Sequence, residues 1–229
     1  KFIRTPSKLQ TVSNSRKDLI SHYMSLYPGL ELKNGELVFT KGSYDIKEDV
    51  ILPNNLTLRL EAGSEIGIFP DVSILVKGNL FIDGTQESPV RVFNIQKDRS
   101  FGVLGAVGDG KTTVDISNLD ISGGSEDIIS GIYLSGGLSL YHHKQVNISN
   151  SFIHNNEADD GLNIKNANIF MTGSKLAHNF ADQADLDYCT GLISNNLFEI
   201  ATNQELSDAT EIPNGDGLDM SGSDLIVRN

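Results

Sequence analysis

The stretch that decides the fold is Val114-Asp-Ile-Ser-Asn118, because similar pentapeptides recur after it. The recurrences are Val146–Asn150 (VNISN), Ile169–Gly173 (IFMTG), Gly191–Asn195 (GLISN) and Leu225–Asn229 (LIVRN). Their last residues are spaced by 32, 23, 22 and 34 positions. Short apolar runs that end in Asn or Gly are typical of strands followed by sharp turns. The spacing therefore indicates an internal repeat of about 22 residues.

A second series of strand-like segments runs in phase with the first. Its members are Ser130–Leu134 (SGIYL), Asp160–Ile164 (DGLNI), Ala184–Tyr188 (ADLDY) and Asp216–Met220 (DGLDM). Two short strands per repeat, with no helical stretch between them, predict an all-β, single-stranded parallel β-helix (a solenoid). Its recurring Asn residues would stack at a bend. The spacings of 32 and 34 predict inserted loops around residues 136–145 and 203–214, and inserted loops are where binding usually resides.

The first thirty residues follow a different pattern. Leu19, Ile20, Tyr23 and Leu26 have helical spacing, and Pro28 ends the run. We therefore expect residues 1–34 to form a short N-terminal helical cap or junction and residues 35–229 to form the β-helix. The absence of a signal peptide favours a fragment of a longer protein, and truncation at the C-terminus stays open.

Charge excludes some classes of partner. The chain has 30 acidic and 18 basic residues and a net charge of −12, which disfavours nucleic acid and anionic membrane surfaces because those contacts depend on Lys and Arg. No apolar run is long enough for membrane insertion. The lone Cys189 does not decide between compartments.

Acidic residues in the second series are the candidate site. Aligning Leu162, Leu186 and Leu218 as inward residues places Asn163, Asp187 and Asp219 together on the outward face. Stacked carboxylates repel one another, so three interpretations stay open: a bound cation, a shared proton, or plain solvation. A cation site would use Asn163, Asp187 and Asp219 with Ca²⁺ as the cofactor. Acid and base chemistry would use Asp160, Asp185 and Asp216.

Two further side chains are candidates for contact with a substrate. Lys165 follows Asn163 on the outward face, and Tyr133 aligns with it one repeat earlier. An aromatic ring at this place could stack on a sugar, although plain packing of an exposed strand tyrosine is the alternative.

The motifs resemble those of right-handed parallel β-helix proteins of the pectin-lyase-like superfamily, over about residues 35–229. In more detail, Gly131–Gly136, Asp159–Lys165 and Asn214–Ser223 are similar to β-helical segments of bacterial surface proteins, some of which are joined to spore-coat-H-like kinase domains. Asn214-Gly-Asp216-Gly-Leu-Asp219 also resembles the N-T-D-G-x-D motif of polygalacturonases, which implies an acid or base role for Asp216. The other motifs of that family are absent, so the resemblance implies the fold more strongly than a reaction.

Two functions follow as expectations. The first is an extracellular or cell-surface domain that binds polysaccharide or a surface partner through its acidic outward face and inserted loops. The alternative is a polysaccharide-degrading hydrolase or lyase that uses stacked Asp residues, which requires two carboxyl groups at close range and a raised pKa on one of them. Whether the protein is an enzyme, and which sugar it would bind, is left open by the sequence.

Overall fold

The computed structural model describes residues 15–200 and 215–229, in which one helix and 25 short strands occur. Helix α1 (Arg16–Leu26) begins at Ser15, whose hydroxyl accepts a hydrogen bond from the Asp18 amide while the Asp18 carboxylate accepts from the Ser15 amide. This reciprocal cap satisfies amides that the first helical turn leaves unpaired. Ile20 and Tyr23 are buried in the main core, so the helix packs against the strands.

The strands form four sheets. Sheet A contains, in spatial order, β1 (Leu30–Lys33), β2 (Glu36–Phe39), β5 (Thr57–Glu61), β8 (Leu80–Asp83), β11 (Thr113–Ser117), β16 (Gln145–Ser149), β19 (Asn168–Thr172), β22 (Thr190–Ser194) and β25 (Asp224–Arg228). Sheet B contains β3 (Gly42–Ile46), β6 (Ser64–Ile68), β9 (Val90–Asn94), β12 (Leu119–Ser122), β17 (Phe152–His154), β20 (Lys175–Ala177) and β23 (Leu197–Glu199). Sheet C contains β4 (Val50–Leu52), β7 (Ile74–Val76), β10 (Leu104–Val107), β15 (Gly136–Tyr141), β18 (Asp160–Lys165), β21 (Asp182–Asp187) and β24 (Asp219–Ser221). Strands β13 (Asp127–Ile129) and β14 (Ile132–Leu134) form the fourth sheet, a two-stranded hairpin.

From β2 onward, consecutive strands of the three large sheets lie in different sheets. The chain visits sheets A, B and C in turn, and we call each such passage a circuit. Each strand pairs in parallel with the strand of the same sheet in the next circuit, as Val146 pairs with Ile169 and Ile169 with Gly191. The antiparallel pairs in the described residues are β1 with β2 and β13 with β14. The inward residues of the three sheets share one apolar core, which extends from Ile20 to Ile193.

The structure corrects the predicted fold class. In place of a single-stranded right-handed parallel β-helix, the described residues form a mostly parallel arrangement of four sheets, of nine, seven, seven and two strands, with one helix. The chain turns sharply after each strand, so successive strands enter different sheets rather than one continuous sheet. Left-handed residues make these turns after sheet A: Asn118, Asn150 and Asn195 have φ of 47°, 49° and 56°, and Gly173 has 64°. Asn and Gly tolerate this conformation best.

The predicted loop at residues 136–145 is also wrong. Gly136–Tyr141 is strand β15, and the extra residues of this circuit instead form the β13–β14 hairpin. The hairpin packs Ile129 and Leu134 with Leu75 and Tyr141 in a second apolar cluster, outside the main core. The second predicted loop, at residues 203–214, lies outside the described residues.

Candidate acid and base site

The acidic residues lie on three neighbouring strands of sheet C. The register places Asn163 of β18 opposite Asp185 of β21, and Asp185 opposite Asp219 of β24. We call these three residues the acidic row. Parallel strands lie about 4.8 Å apart, so residues of the row are direct neighbours.

The row differs from the predicted one by a slip of two residues. The aligned leucines put Asp187 between Asn163 and Asp219, whereas Leu162 is opposite Ala184 and Asp187 is opposite Lys165 and Ser221. A slip of two keeps each side chain on the same face, because the strand period is two, so the outward face was predicted correctly and the neighbours were not. Paired residues of β18 and β21 are 22 positions apart, and this distance sets the register. Ala184 therefore lies opposite Leu162, where the sequence alignment had placed Leu186.

Asn163 joins two of the predicted catalytic residues. Its Nδ2 donates to Asp160 Oδ2 at 2.8 Å and to Asp185 Oδ2 at 2.7 Å. The Asn163 side chain is fully buried, and its Oδ1 has no hydrogen-bond partner. Simple alternation would turn Asp160 inward with Leu162, so the contact with Asn163 shows that β18 is irregular at its start.

Asp160 has the most strongly shifted carboxyl group on this face. Its residue is only 4% exposed. Burial, followed by the negative charges of Asp185 and Asp159, raises its pKa to about 7, although hydrogen bonds from Ser135 and Asn163 oppose the shift. The Ser135 hydroxyl donates to Asp160 Oδ2 at 2.8 Å. At neutral pH, Asp160 therefore exists in both protonated and ionised forms.

Asp185 is more accessible and lies beside a cation. Its side chain is 18% exposed, and Lys165 Nζ lies 4.0 Å from its Oδ2. Burial and Asp187 raise the pKa of Asp185, while Lys165 and the Asn163 hydrogen bond lower it. Lys165 itself pairs more closely with Asp187, at 2.7 Å, and lies over the Tyr141 ring.

Asp216 lies apart from the pair that Asn163 joins. The residue is exposed, and its backbone amide donates to Asp182 Oδ1 at 2.6 Å. Burial and Asp216 are among the causes that raise the pKa of Asp182. Of the three predicted catalytic residues, the structure thus brings together Asp160 and Asp185.

Tyr133 lies on the hairpin, not on a strand of sheet C. It is 51% exposed, and its hydroxyl donates to Glu126 Oε2 at 2.6 Å. Burial and that hydrogen bond raise its pKa. The negative charges of Asp159 and Asp160 raise the pKa further by smaller amounts, because the hydroxyl lies near these carboxylates. Its aromatic ring is thus exposed beside the acidic residues, although not at the predicted position.

The predicted metal ligands do not form one cluster. Asn163 and Asp219 are each adjacent to Asp185, whereas Asp187 belongs to the neighbouring row. Within residues 15–200 and 215–229, no group of three or more His, Cys, Asp or Glu side chains has an arrangement suited to a metal ion. Ca²⁺ binding stays a prediction that the structure leaves to experiment.

Sequence reasoning missed Ser135 and Asp182. Ser135 directly precedes β15, and its carbonyl accepts from Asp160 N–H; Asp182 is the first residue of β21, and its N–H donates to the Asp159 carbonyl. The missed signal was the equal distance of 22 residues from Asp160 to Asp182 and from Asn163 to Asp185. Aligning on circuit length rather than on the leucines would have found Asp182.

Comparisons with known proteins add little. No protein-family model matches this chain, and no curated protein matches it. A solved structure named ORF18 of Geobacillus virus E2 has a TM-score of 0.48 and 14% identity, over 93% of this chain. The chain spans 44% of the length of that viral protein.

These findings correct the predicted resemblance. Nothing found supports membership of the pectin-lyase-like superfamily or a similarity to bacterial surface proteins, and the likeness to the viral protein is too weak to argue from. The descriptions that depended on that resemblance, namely a bacterial, secreted or cell-surface carbohydrate-binding repeat protein, lose their support with it. In the described part of the chain, no helix is long and apolar enough to cross a membrane.

Proposed function

We propose that the face of sheet C around Asn163 is a hydrolytic site that cleaves an uncharged glycosidic linkage. The observation that carries the proposal is the pair of hydrogen bonds from Asn163 Nδ2 to Asp160 and Asp185. These bonds, of 2.8 and 2.7 Å, bring one oxygen of Asp160 and one of Asp185 to the same amide nitrogen, and glycosidases use a pair of neighbouring carboxyl groups around the scissile bond.

The two carboxyl groups suit different roles. Asp160 is the more deeply buried, and its pKa of about 7 leaves it partly protonated at neutral pH, as a general acid requires. Asp185 is more exposed than Asp160 and has Lys165 Nζ 4.0 Å from its Oδ2; burial raises its pKa as well, and the positive charge of Lys165 opposes that rise. Two carboxyl groups whose environments separate their pKa values provide an acid and a base at the same pH.

The charge of the site indicates an uncharged substrate. Asp159, Asp182 and Asp187 surround the pair, and the net charge of the chain is −12. A uronate or phosphate group would be repelled. Lyase chemistry beside a uronate needs a cation to stabilise the developing anion, and Lys165 is already paired with Asp187. Hydrolysis is therefore favoured over the lyase reaction.

The test is a screen of para-nitrophenyl glycosides of neutral sugars and of neutral polysaccharides with the full chain. We expect turnover that Asp160→Asn and Asp185→Asn each reduce by roughly 10²–10⁴-fold, the usual contribution of a positioned acid or base. Asp98→Asn is the matched control, because Asp98 is exposed in the connection between β9 and β10. Absence of turnover on every neutral substrate, or equal activity in all four proteins, would refute the proposal.

The pH dependence provides a second test. Because the acid must be protonated, activity should fall as pH rises through about 7, the pKa of Asp160. It should also fall at low pH, where Asp185 becomes protonated. A rate that increases steadily above pH 8 would contradict the assignment of Asp160 as the acid.

A noncatalytic binding role is the second candidate. The observation that favours it is the exposed hairpin pair Ile128 and Tyr133, which are directly opposite each other and 62% and 51% exposed. An exposed apolar pair next to an acidic face is suited to holding a sugar or a protein surface. Binding of a neutral polysaccharide that Tyr133→Ala abolishes, without turnover, would favour this role. An extracellular location stays a prediction, which fractionation of the source cells would test.

A further inference from the structure

We propose that two copies of this chain associate through the free edge of β25, about a twofold axis that passes through Ile226. The inference concerns a surface outside the acidic row and does not depend on the proposed hydrolytic function. It predicts antiparallel pairing of β25 with its own copy, in which Asp224 is opposite Arg228 of the partner subunit.

Strand β25 lies at one edge of sheet A. Within residues 15–200 and 215–229 it pairs with β22 alone, and β23 and β24 are the edge strands of sheets B and C at the same end. At the opposite end, β1 runs antiparallel to β2 and helix α1 packs against the core. The end formed by β23, β24 and β25 presents strand edges, which are templates for pairing with another chain.

This end is also apolar. The central residues of β25 are Leu225, Ile226 and Val227, of which Ile226 is 63% and Val227 48% exposed. Val227 is opposite Ile193, a buried inward residue, so its exposure comes from the open end of the core. Met220 of β24 is likewise an inward residue that is exposed. A second protein surface would bury these side chains.

The hydrogen bonds to β22 show which groups face the free edge. Asp224 N–H donates to a carbonyl just before β22, and the Arg228 carbonyl accepts from an amide just after it. Because the N–H and C=O of one residue point to the same side of a strand, and this side alternates, those of Leu225 and Val227 point away from β22. Pairing Leu225 with Val227 of the partner subunit, twice about the axis, therefore forms four backbone hydrogen bonds.

Charge selects the register. An axis at Ile226 places Asp224 opposite Arg228 twice, with all these side chains on the outward face. A register centred on Leu225 or Val227 instead leaves each charge opposite an apolar residue or outside the pairing. In the described part of the chain, no salt bridge involves Asp224 or Arg228, so both are available to a second copy, and opposite charges across a strand pair stabilise it.

Sedimentation velocity of the full chain at concentrations between about 1 and 500 μM measures the association. We expect a reversible equilibrium between monomer and dimer without larger species, because a twofold interface is closed. Arg228→Asp and Asp224→Arg each replace two opposite-charge pairs by like-charge pairs, so each should weaken dimerisation by roughly 10- to 100-fold. A monomer at every concentration, or a dimer that neither substitution weakens, would overturn the proposal.

A mixture of the two variants separates lost pairing from lost folding. Arg228→Asp has two acidic residues on β25 and Asp224→Arg has two basic ones, so the antiparallel register gives a mixed pair two opposite-charge contacts again. The equimolar mixture should therefore form a heterodimer about as readily as the wild type does, and the double variant Asp224→Arg/Arg228→Asp should recover self-association. Failure of both rescues would refute the pairing.

A disulfide at the axis is the second measurement. Opposite residues of a pair without hydrogen bonds have Cα atoms about 4.5 Å apart, which a disulfide can span. Ile226→Cys should therefore form a covalent dimer on oxidation. Phe170→Cys is the matched control, because Phe170 is exposed on the same face of sheet A but lies on the interior strand β19. Cys189 is buried and does not compete. Equal cross-linking of the two variants would contradict the proposed axis.

Discussion

Around Arg59 in sheet A and Arg91 in sheet B, charged outward side chains are paired with opposite charges, whereas those of the acidic row in sheet C are not. On sheet A, Arg59 lies between Glu36 and Asp83, contacts both carboxylates and packs over the Phe81 ring at 4.7 Å. Sheet B repeats the alternation, with Arg91 between Glu65 and Asp120. The acidic row of sheet C instead places Asp185 directly against Asp219. Opposite charges pair diagonally across neighbouring strands in sheet A and directly across them in sheet B, whereas two like charges are directly opposite each other in sheet C.

The contrast separates rows whose charges stabilise the fold from a row whose charges destabilise it. Opposite charges across a strand pair stabilise a sheet, and like charges directly opposite each other destabilise it. Departures from such local rules are expected at functional sites. The acidic row therefore costs stability, whereas the carboxylates beside Arg59 and Arg91 are neutralised, and an uncompensated row of this kind is expected of a site rather than of a scaffold.

The largest effect on stability should come from Asp160→Asn. Because the folded protein raises the Asp160 pKa from 3.8 to about 7, its contribution to stability is fully present below pH 4 and is lost as pH rises through 7. The wild type should therefore lose roughly 4 kcal/mol of unfolding free energy across this window through Asp160, whereas the asparagine variant should not. Its amide oxygen can still accept from Ser135 and Asn163.

Urea unfolding of both proteins at pH 4, 6 and 8 measures this difference. Asp98→Asn should track the wild type at every pH, because Asp98 is exposed. If the difference in unfolding free energy between wild type and Asp160→Asn stayed constant with pH, the pKa of Asp160 would not be raised in the folded protein, and the prediction would be wrong.

A smaller effect on stability is expected from removing Arg59, which neutralises two carboxylates on sheet A. Arg59→Met leaves Glu36 and Asp83 without their shared cation, so it should destabilise the protein at pH 7 by about 1 kcal/mol. The loss should shrink at 1 M salt, where charges are screened over about 3 Å. Arg99→Met is the control, since Arg99 pairs with Asp71 where both side chains are exposed. Equal losses for the two variants at low salt would contradict the contrast between rows.

Lys165→Met should remove the positive charge that lies beside Asp185 and Asp187 in sheet C. Since Lys165 is the cation that lowers the pKa of Asp185, its removal should raise that pKa and move the acid limb of the activity profile to higher pH. Lys165→Arg keeps the charge and should leave the limb in place. Carbon-13 NMR titration of the Asp185 carboxyl group reports the same shift without activity, and an unchanged titration in Lys165→Met would exclude this role.

The smallest effect should come from Ca²⁺. This cation takes six to eight oxygen ligands, and the acidic row supplies only Asp185 and Asp219 as adjacent carboxylates. Millimolar Ca²⁺ should therefore raise the unfolding free energy by less than about 0.5 kcal/mol. Calorimetric titration of the chelator-treated protein, repeated on Asp219→Asn, checks this. Saturable binding at micromolar Ca²⁺ that Asp219→Asn abolishes would restore the metal-site interpretation.

Alternation and turn chemistry were readable in the sequence. They predicted the strand before Asn118, the sharp bend at that residue, and the outward face that carries Asp185. The distribution of strands over four sheets and the register of β21 were not readable, because a slip of two residues leaves the hydrophobic pattern of a strand unchanged. The β13–β14 hairpin was missed because Ile132 and Leu134 alternate like any core strand.

The site was predictable only in part, for a similar reason. Asp160 and Asp185 were candidates from their residue type and neighbourhood. Their connection through Asn163 depends on the irregular start of β18, which leaves no trace in an alternation pattern. The pKa of Asp160 depends on how deeply the folded chain buries it, and burial of a carboxyl group at a strand end is a property of the assembled sheets.

The pairing of each strand with the next circuit has a consequence for how the chain folds. In sheets A, B and C, nearly all parallel partners are separated by 22 to 34 residues, so no pairing joins distant ends of the sequence. Relative to the chain length of 229 residues, these separations are smaller than those typical of all-β sandwiches and barrels, whose non-local pairings slow folding. During synthesis, the partner of each new strand has already been made, so the sheets can grow by one strand at a time as the chain leaves the ribosome.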